Sequence, residues 1–210
     1  MKILIGTTNP SKVEYYAAML TGFGLEFMTL RDLGIEDEPQ ETGRTPMENA
    51  MIKAEFYGRY ADVVICADSG LYFDCLPLED ARQPGLHIRT PGGGKRLDDE
   101  EMIVHYAQLV HNLGGKVLAY YLNGVAIKAR GEISGFQWTC EEARLGAFYM
   151  LDIPCEARNP GWPLDSLSVD QRGVPFVDPA WEEPESLSWE RESRLRSFLI
   201  DKLGLNERGI

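Results

Sequence analysis

Residues 62–67 contain VVICA, an unbroken apolar run of strand length that leads straight into Asp68-Ser69-Gly70. A run without polar alternation belongs to a strand buried on both faces, and such strands occur in sheets that helices cover on each side. The run therefore predicts a buried strand with the Asp68 carboxylate at its end, at the edge of a site. The bland alternative for Asp68 is a turn cap ahead of Ser69-Gly70.

The rest of the chain supplies helices for such a sheet. Ile3 to Ile5 reads as a strand, the turn GTTNPSK follows, and Val13, Tyr16, Ala17 and Leu20 then recur at helical spacing until Gly22 and Gly24 stop the pattern. Leu25 to Leu30 reads as a second strand, followed by the acidic loop IEDEPQETG. Thr45, Pro46 and Glu48 have the order of an N-cap, a first helical proline and the acid of a capping box. In the helix they open, Met47, Ala50, Met51, Ala54 and Tyr57 form the core face, with Asn49, Lys53 and Phe56 on the adjoining stripe.

Pro77 to Gly94 is a long loop rich in Pro and Gly that contains Arg82, His87 and Arg89, a length that is often functional in a compact domain. Asp98 and Asp99 open a helix facing inward through Ile103, Tyr106, Ala107 and Val110. Val117 to Leu122 reads as a strand, after which Asn123-Gly124 is either a two-residue hairpin turn or part of one strand running through Lys128. Cys140 to Asp178 shows no clear period. A last helix, from about Trp189, buries Leu195, Phe198, Leu199 and Leu203 and stops at Gly204.

With 210 residues, 44% of them hydrophobic, the chain is expected to build one domain over 1–210. Only a few apolar residues separate Lys2 from Gly6, too few for a signal-peptide core, and no apolar run approaches the roughly 18 residues of a membrane span. A cytoplasmic protein is expected. The four cysteines form no C-x-x-C pair and the three histidines no H-E-x-x-H, so neither a zinc cage nor a disulfide framework is indicated, and reduced, buried thiols are expected. A formal charge of -12 without a cluster of Lys and Arg excludes wrapping a nucleic-acid polymer. It does not exclude a small anion, because exposed charges farther off than roughly 8 Å are screened at physiological salt.

Three segments share one resemblance: TTNPSKVE (Thr7 to Glu14), ETGRTPMENAMIKA (Glu41 to Ala54) and ADSGL (Ala67 to Leu71), the last followed by Pro84-Gly85. In this order and at similar separations they resemble T-x-N-x-x-K, E-T-G-x-T-x-x-E-N-A-x-x-K-A and D-S-G-L of the inosine triphosphate pyrophosphatase family. Members of that family convert deaminated purine nucleoside triphosphates to monophosphates and pyrophosphate. The resemblance covers about the first 90 residues. It implies an elongated α/β fold with a central mixed sheet flanked by helices, two lobes with a cleft, a homodimer and a Mg2+ requirement.

GTTNPSK matches neither a P-loop nor the dinucleotide-binding G-x-G-x-x-G. Its amides, the hydroxyls of Thr7, Thr8 and Ser11, the Asn9 amide and the Lys12 charge can nevertheless face phosphate oxygens near a helix N-terminus. The other reading of the segment is a polar turn built on Asn9-Pro10. Hydrolysis of a triphosphate needs a base beside the water and a cation on the phosphate oxygens. The resemblance makes Asp68 the general base and a metal carboxylate, and Glu41 the second metal carboxylate, where hard oxygen ligands suit Mg2+. Lys53, one helical turn after Asn49, is assigned to a phosphate, with a solvated helix lysine as the alternative. Asn49 is read as a support for the neighbouring loops, Ser69 as part of the substrate site, and Arg89 as a basic group near the phosphate chain.

The second half departs from the family pattern. Ala67 replaces the first of two adjacent acids before Ser-Gly. The base-binding signature is reduced to Gly161-Trp162-Pro163-Leu164-Asp165, where Trp162 either stacks on a base or is a core tryptophan, and Asp165 is retained. A final Ser-His-Arg is reduced to Ser188-Trp189-Glu190-Arg191, which leaves Arg191 as the candidate, and Gly173 to Leu187 lacks the expected Lys. Two further readings therefore stand beside purine hydrolysis: a pyrophosphatase for a pyrimidine or other modified triphosphate, and a nucleotide-binding protein without turnover.

Overall fold

The computed structural model describes residues 1–181 and 185–206, with the backbone alone for 185–191. Its elements in chain order are β1 (Lys2–Ile5), α1 (Pro10–Met19), β2 (Glu26–Thr29), α2 (Pro46–Tyr57), β3 (Val64–Phe73), α3 (Asp99–Asn112), β4 (Lys116–Ala129), β5 (Glu132–Gln137), α4 (Cys140–Leu145), β6 (Phe148–Leu151), β7 (Ser168–Val169) and α5 (Glu185–Leu203). The seven strands form a mixed sheet in the order β2-β1-β3-β4-β6-β7, with β5 paired to β4. β1 runs parallel to β2 and β3, whereas β4, β5, β6 and β7 pair antiparallel. The expected α/β class with a mixed sheet and flanking helices is present. Among the described residues no helix is long and apolar enough to cross a membrane.

The chain divides into two compact units, one of residues 1–69, 123–138 and 185–210, the other of 70–122 and 139–184. In the first, Ala50, Ala54 and Tyr57 of α2 pack on Leu4, Val64, Cys66 and Ala126. Two alanines at helical spacing let α2 lie close on the sheet, which carries its polar stripe to the level of the strand ends. In the second, Ile103, Tyr106 and Val110 of α3 pack with Leu71, Phe73, Val117, Phe148 and Met150.

Three local expectations change, and the choice left open at Asn123-Gly124 falls to the continuous strand. β3 does not end at Asp68 but continues to Phe73. Leu71 keeps it extended by exchanging both backbone hydrogen bonds with Gly85, at 3.0 and 2.9 Å. Asp68 is therefore not a turn cap. The neighbouring strand stops instead: β1 ends at Ile5, opposite Ile65, so the ladder beside Asp68 lies open. Asn123-Gly124 is not a turn, because β4 runs through it and Gly124 pairs with Gln137. The hairpin turn is Arg130-Gly131, with φ of 56° and 79°, the two positive values that a tight two-residue connection requires.

The last helix begins at Glu185, ahead of Trp189. The cysteines are unpaired as expected, but only Cys66 is buried, and Cys75 is exposed.

Candidate functional site

GTTNPSK engages most of its amides in the fold, and half of them within the segment itself. Asn9 caps α1, its Oδ1 accepting from the Ser11 amide at 2.9 Å, and Pro10 takes the first helical position. The Asn9 amide donates to Thr7 Oγ1 at 3.2 Å, the Thr7 amide to Ile5 O at 2.9 Å and the Lys12 amide to Asn9 O at 3.2 Å. A turn that caps its own helix has few amides left for a ligand. The side chains it exposes are those of Thr8 and Ser11, whereas Lys12 is partly buried, with its ammonium within the field of Lys53, Asp68 and Glu41.

The second segment is tied to the N-terminus of α2. Thr45 Oγ1 accepts from the Glu48 amide at 3.1 Å, one half of the expected capping box. The Glu48 carboxylate, however, accepts from the Arg44 amide at 2.6 Å, one residue farther back than a capping box reaches. Beside it Asn49 Oδ1 accepts from the Gly43 amide at 2.8 Å. A Cβ on Gly43 would lie 2.6 Å from Asn49 Oδ1 and 2.8 Å from the Asn49 backbone nitrogen, so only glycine lets the loop approach this closely. The loop that carries Glu41 is thereby fastened to the helix that carries Lys53.

The two segments meet at β3. Lys53 Nζ lies 2.9 Å from Asp68 Oδ1 and 2.9 Å from Glu41 Oε1, and Asn49 Nδ2 donates to Asp68 Oδ2 at 2.9 Å. Asp68 and Asn49 are buried and Lys53 nearly so, while Glu41 is partly exposed. Burial works against the Lys53 charge, but Asp68 and then Glu41 outweigh it and hold the ammonium above its usual range. Lys12 is held below its usual range, first by burial and next by the Lys53 charge, with Asp68 and Glu41 pulling the other way. Lys12, Glu41, Asn49, Lys53 and Asp68 thus form one electrostatic group in a single unit, and half-buried Ser69 follows on the same strand. What the sequence left unseen is the direct contact between Asn49 and Asp68, although the one-turn spacing of Asn49 and Lys53 pointed that way.

A cation site needs oxygens that converge. Glu41 Oε1 and Asp68 Oδ1 lie at equal distance from one ammonium, so the two carboxylates already face a single cationic position. One or two carboxylates are what Mg2+ takes from a protein when phosphate oxygens and water complete its shell. Among the described residues no group of three or more His, Cys, Asp and Glu could hold a metal. The residues present fit Mg2+ held jointly with a phosphate ligand.

Of the remaining candidates, Arg89, Trp162 and Asp165 lie in the second unit. Arg89 is paired with Asp99, Nη1 to Oδ1 at 2.9 Å, and Asp99 Oδ2 also accepts from the Gly161 amide at 3.3 Å. Asp99, read from the sequence as a helix-opening acid, therefore links Arg89 to the segment of Trp162 and Asp165. Trp162 is 43% exposed and so is not a core tryptophan. Asp165 Oδ2 accepts from Asn159 Nδ2 at 2.9 Å. Burial holds the Asp165 carboxyl above its usual range, with the Asn159 contact working against it. Arg191 falls within α5, but its side chain lies outside the described residues.

Known proteins carry the same signals. The Ham1 family pattern matches residues 3–136. A dITP/XTP pyrophosphatase of Thermoanaerobacter pseudethanolicus is 41% identical over 212 residues, covering 97% of this chain and 98% of that protein. Among solved structures, the Ham1 protein of Staphylococcus aureus superimposes with a TM-score of 0.68 at 20% identity over 96% of this chain and 99% of that one. A HAM1 protein of Coxiella burnetii does so with a TM-score of 0.67 at 18% identity, over the same shares.

Proposed function

The chain belongs to the Ham1 family, as its three motifs implied, and from that membership we infer that it hydrolyses a deaminated purine nucleoside triphosphate (ITP, dITP or XTP) to the monophosphate and pyrophosphate. The observation that carries this reading is the Asp68 carboxylate held between Lys53 and Asn49, with Glu41 and Lys12 in the same group. Water attacks the α-phosphorus. Asp68 takes its proton as the new P–O bond forms, the bond from the α-phosphorus to the bridging oxygen breaks, and the electron pair leaves on pyrophosphate.

Lys12 and Lys53 supply positive charge to the phosphates, most useful where negative charge grows on the leaving group. The hydroxyls of Thr7, Thr8 and Ser11, the Asn9 amide and Ser69 orient the chain of phosphates. Glu41 and Asp68 would hold Mg2+, which when bound neutralises charge on the phosphate oxygens. Trp162, with its exposed ring, offers a stacking face for the base. Asp165 and Arg191 are assigned to base recognition and Arg89 to the phosphate side. The same reading extends to a homodimer in the cytoplasm.

A panel of triphosphates incubated with Mg2+, with products resolved, tests the assignment. Monophosphate and pyrophosphate are the expected products. kcat/KM for inosine triphosphate should exceed that for ATP clearly and that for GTP modestly, because a donor to the 6-oxo group leaves adenine's amino group facing another donor, at roughly 1–3 kcal/mol for each unsatisfied group. Orthophosphate with a diphosphate as first products, or a pyrimidine triphosphate ahead of every purine, would sink it.

Polyphosphate binding should also take up a proton on the alkaline side. Free Lys12 is held low by burial and by Lys53, and a phosphate beside it raises it again. Between those two values the free side chain is neutral and the complex charged, so affinity falls as pH rises through the free-state value. Calorimetry with a nonhydrolysable triphosphate in buffers of different ionisation heat measures the uptake. A binding heat independent of buffer on that side would remove Lys12 from the phosphate site.

A further inference from the structure

Asn49 is 2% exposed, and both ends of its side-chain amide are in use: Oδ1 accepts from the Gly43 amide at 2.8 Å and Nδ2 donates to Asp68 Oδ2 at 2.9 Å. The two contacts do different things. The first anchors the loop two residues from Glu41, a task for which an aspartate would serve equally, since it needs only an acceptor. The second needs a donor, and an aspartate there would set a further carboxylate against Asp68. The amide is thus matched to the carboxylate it faces and not merely to the loop.

Asp68 has two tethers of unequal permanence. Lys53 holds Oδ1 but shares its ammonium with Glu41, and on the functional reading above it has phosphates to meet as well. Asn49 holds Oδ2 from a buried position with no second acceptor competing for its Nδ2 among the described residues. Once Lys53 turns to phosphate, Asn49 is the group that keeps the plane of the Asp68 carboxylate in place, so that Oδ1, beside the cation position it shares with Glu41, keeps one lone pair directed at the water.

We propose that Asn49 is the positioning residue of this hydrolase, orienting Asp68 through Oδ2 while its other end registers the Glu41 loop. The proposal rests on the reading of Asp68 as the base.

The test compares wild type with Asn49→Asp and Asn49→Ala at saturating Mg2+. It reads kcat and KM for inosine triphosphate, the Kd of a nonhydrolysable α,β-methylene triphosphate by calorimetry, and folding by circular dichroism. Both variants should lose about 10²-fold in kcat, the scale of a misplaced reacting group. The analogue Kd of Asn49→Ala should stay within about threefold of wild type, a shift below the tenfold that corresponds to 1.4 kcal/mol, since Lys12 and the hydroxyls of the first turn are untouched. A residue that only anchors the loop would behave otherwise: Asn49→Asp would keep wild-type kcat, and Asn49→Ala would raise KM and the analogue Kd with kcat unchanged. Either pattern overturns the proposal, as does failure of both variants to fold, which would assign Asn49 to stability. A wild-type protein that releases no pyrophosphate would instead overturn the functional reading beneath it, so the two failures are separable.

Discussion

Asp68→Asn is expected to fold like the wild type and to lose about 10²- to 10⁴-fold in kcat, the range for removal of a general base, if Asp68 has the role proposed for it. The substitution changes neither shape nor volume, and β3 is held on both sides of the position by Ile65 opposite Ile5 and by Leu71 bonded to Gly85. Lys53 keeps its contact with Glu41 at 2.9 Å, so the group does not lose its cation. What disappears is an oxygen able to accept a proton from water. Single-turnover hydrolysis at saturating substrate and Mg2+ isolates that step from product release. A variant with wild-type single-turnover rate would show that Asp68 is not the base, whatever its effect on KM.

Gly124→Ala is the substitution expected to damage the fold most. A methyl group there would overlap the Met47 backbone nitrogen and α-carbon and the Pro46 carbonyl carbon, all backbone atoms of the first turn of α2. No rotamer change relieves such an overlap, so the helix start must move. Met47 N donates to Gln137 Oε1 at 3.1 Å, and Gln137 is the residue paired with Gly124, so the same movement breaks the contact that seats the helix on the sheet. Overpacking of this kind costs about 3 kcal/mol or more, a fall in Tm of roughly 6–12 °C for a chain of this size. Gly135→Ala is the control. The three atoms nearest its Cβ would belong to the Met47 and Met51 side chains, at 2.7 to 3.2 Å, and methionine adapts. Thermal unfolding of the two variants should therefore differ clearly, and equal losses would contradict the backbone-contact explanation.

The same glycine shows why part of the fold was legible and part was not. Asn-Gly is a strong local hairpin signal, but at 123–124 it marks a place where a helix start presses on a strand, a tertiary fact that no window around it contains. The first turn of α2 was legible because caps and the proline act locally, and Lys53 with Asn49 because one helical turn separates them. β3 was found but cut short: Asp68-Ser69-Gly70 carries turn chemistry, and the Gly85 backbone that overrides it is far off in sequence. Between Cys140 and Asp178 the elements are α4 of six residues, β6 of four and β7 of two, all shorter than a periodic pattern needs to declare itself. At the candidate site, residues could be nominated from sequence, but their atom-level partnerships could not. Asp99 looked like an ordinary helix-opening acid, and only the fold shows it engaged by both Arg89 and Gly161.

The sharing of Lys53 between Glu41 and Asp68 has a consequence for encounter with a polyanion. Over the whole chain acids outnumber bases and the formal charge is -12, so the far field repels a triphosphate. Lys53 bridges the Glu41 and Asp68 carboxylates, and with Lys12 in the same electrostatic group the two formal negative charges are matched by two positive ones. The site is a neutral island on an acidic body. A ligand that diffuses inside the screening distance, roughly 8 Å at physiological salt, leaves the repulsion behind and meets the Lys53 ammonium, which can exchange one anionic partner for another. On the proposed assignment of this site, capture would rest on that short-range exchange and not on long-range electrostatic guidance.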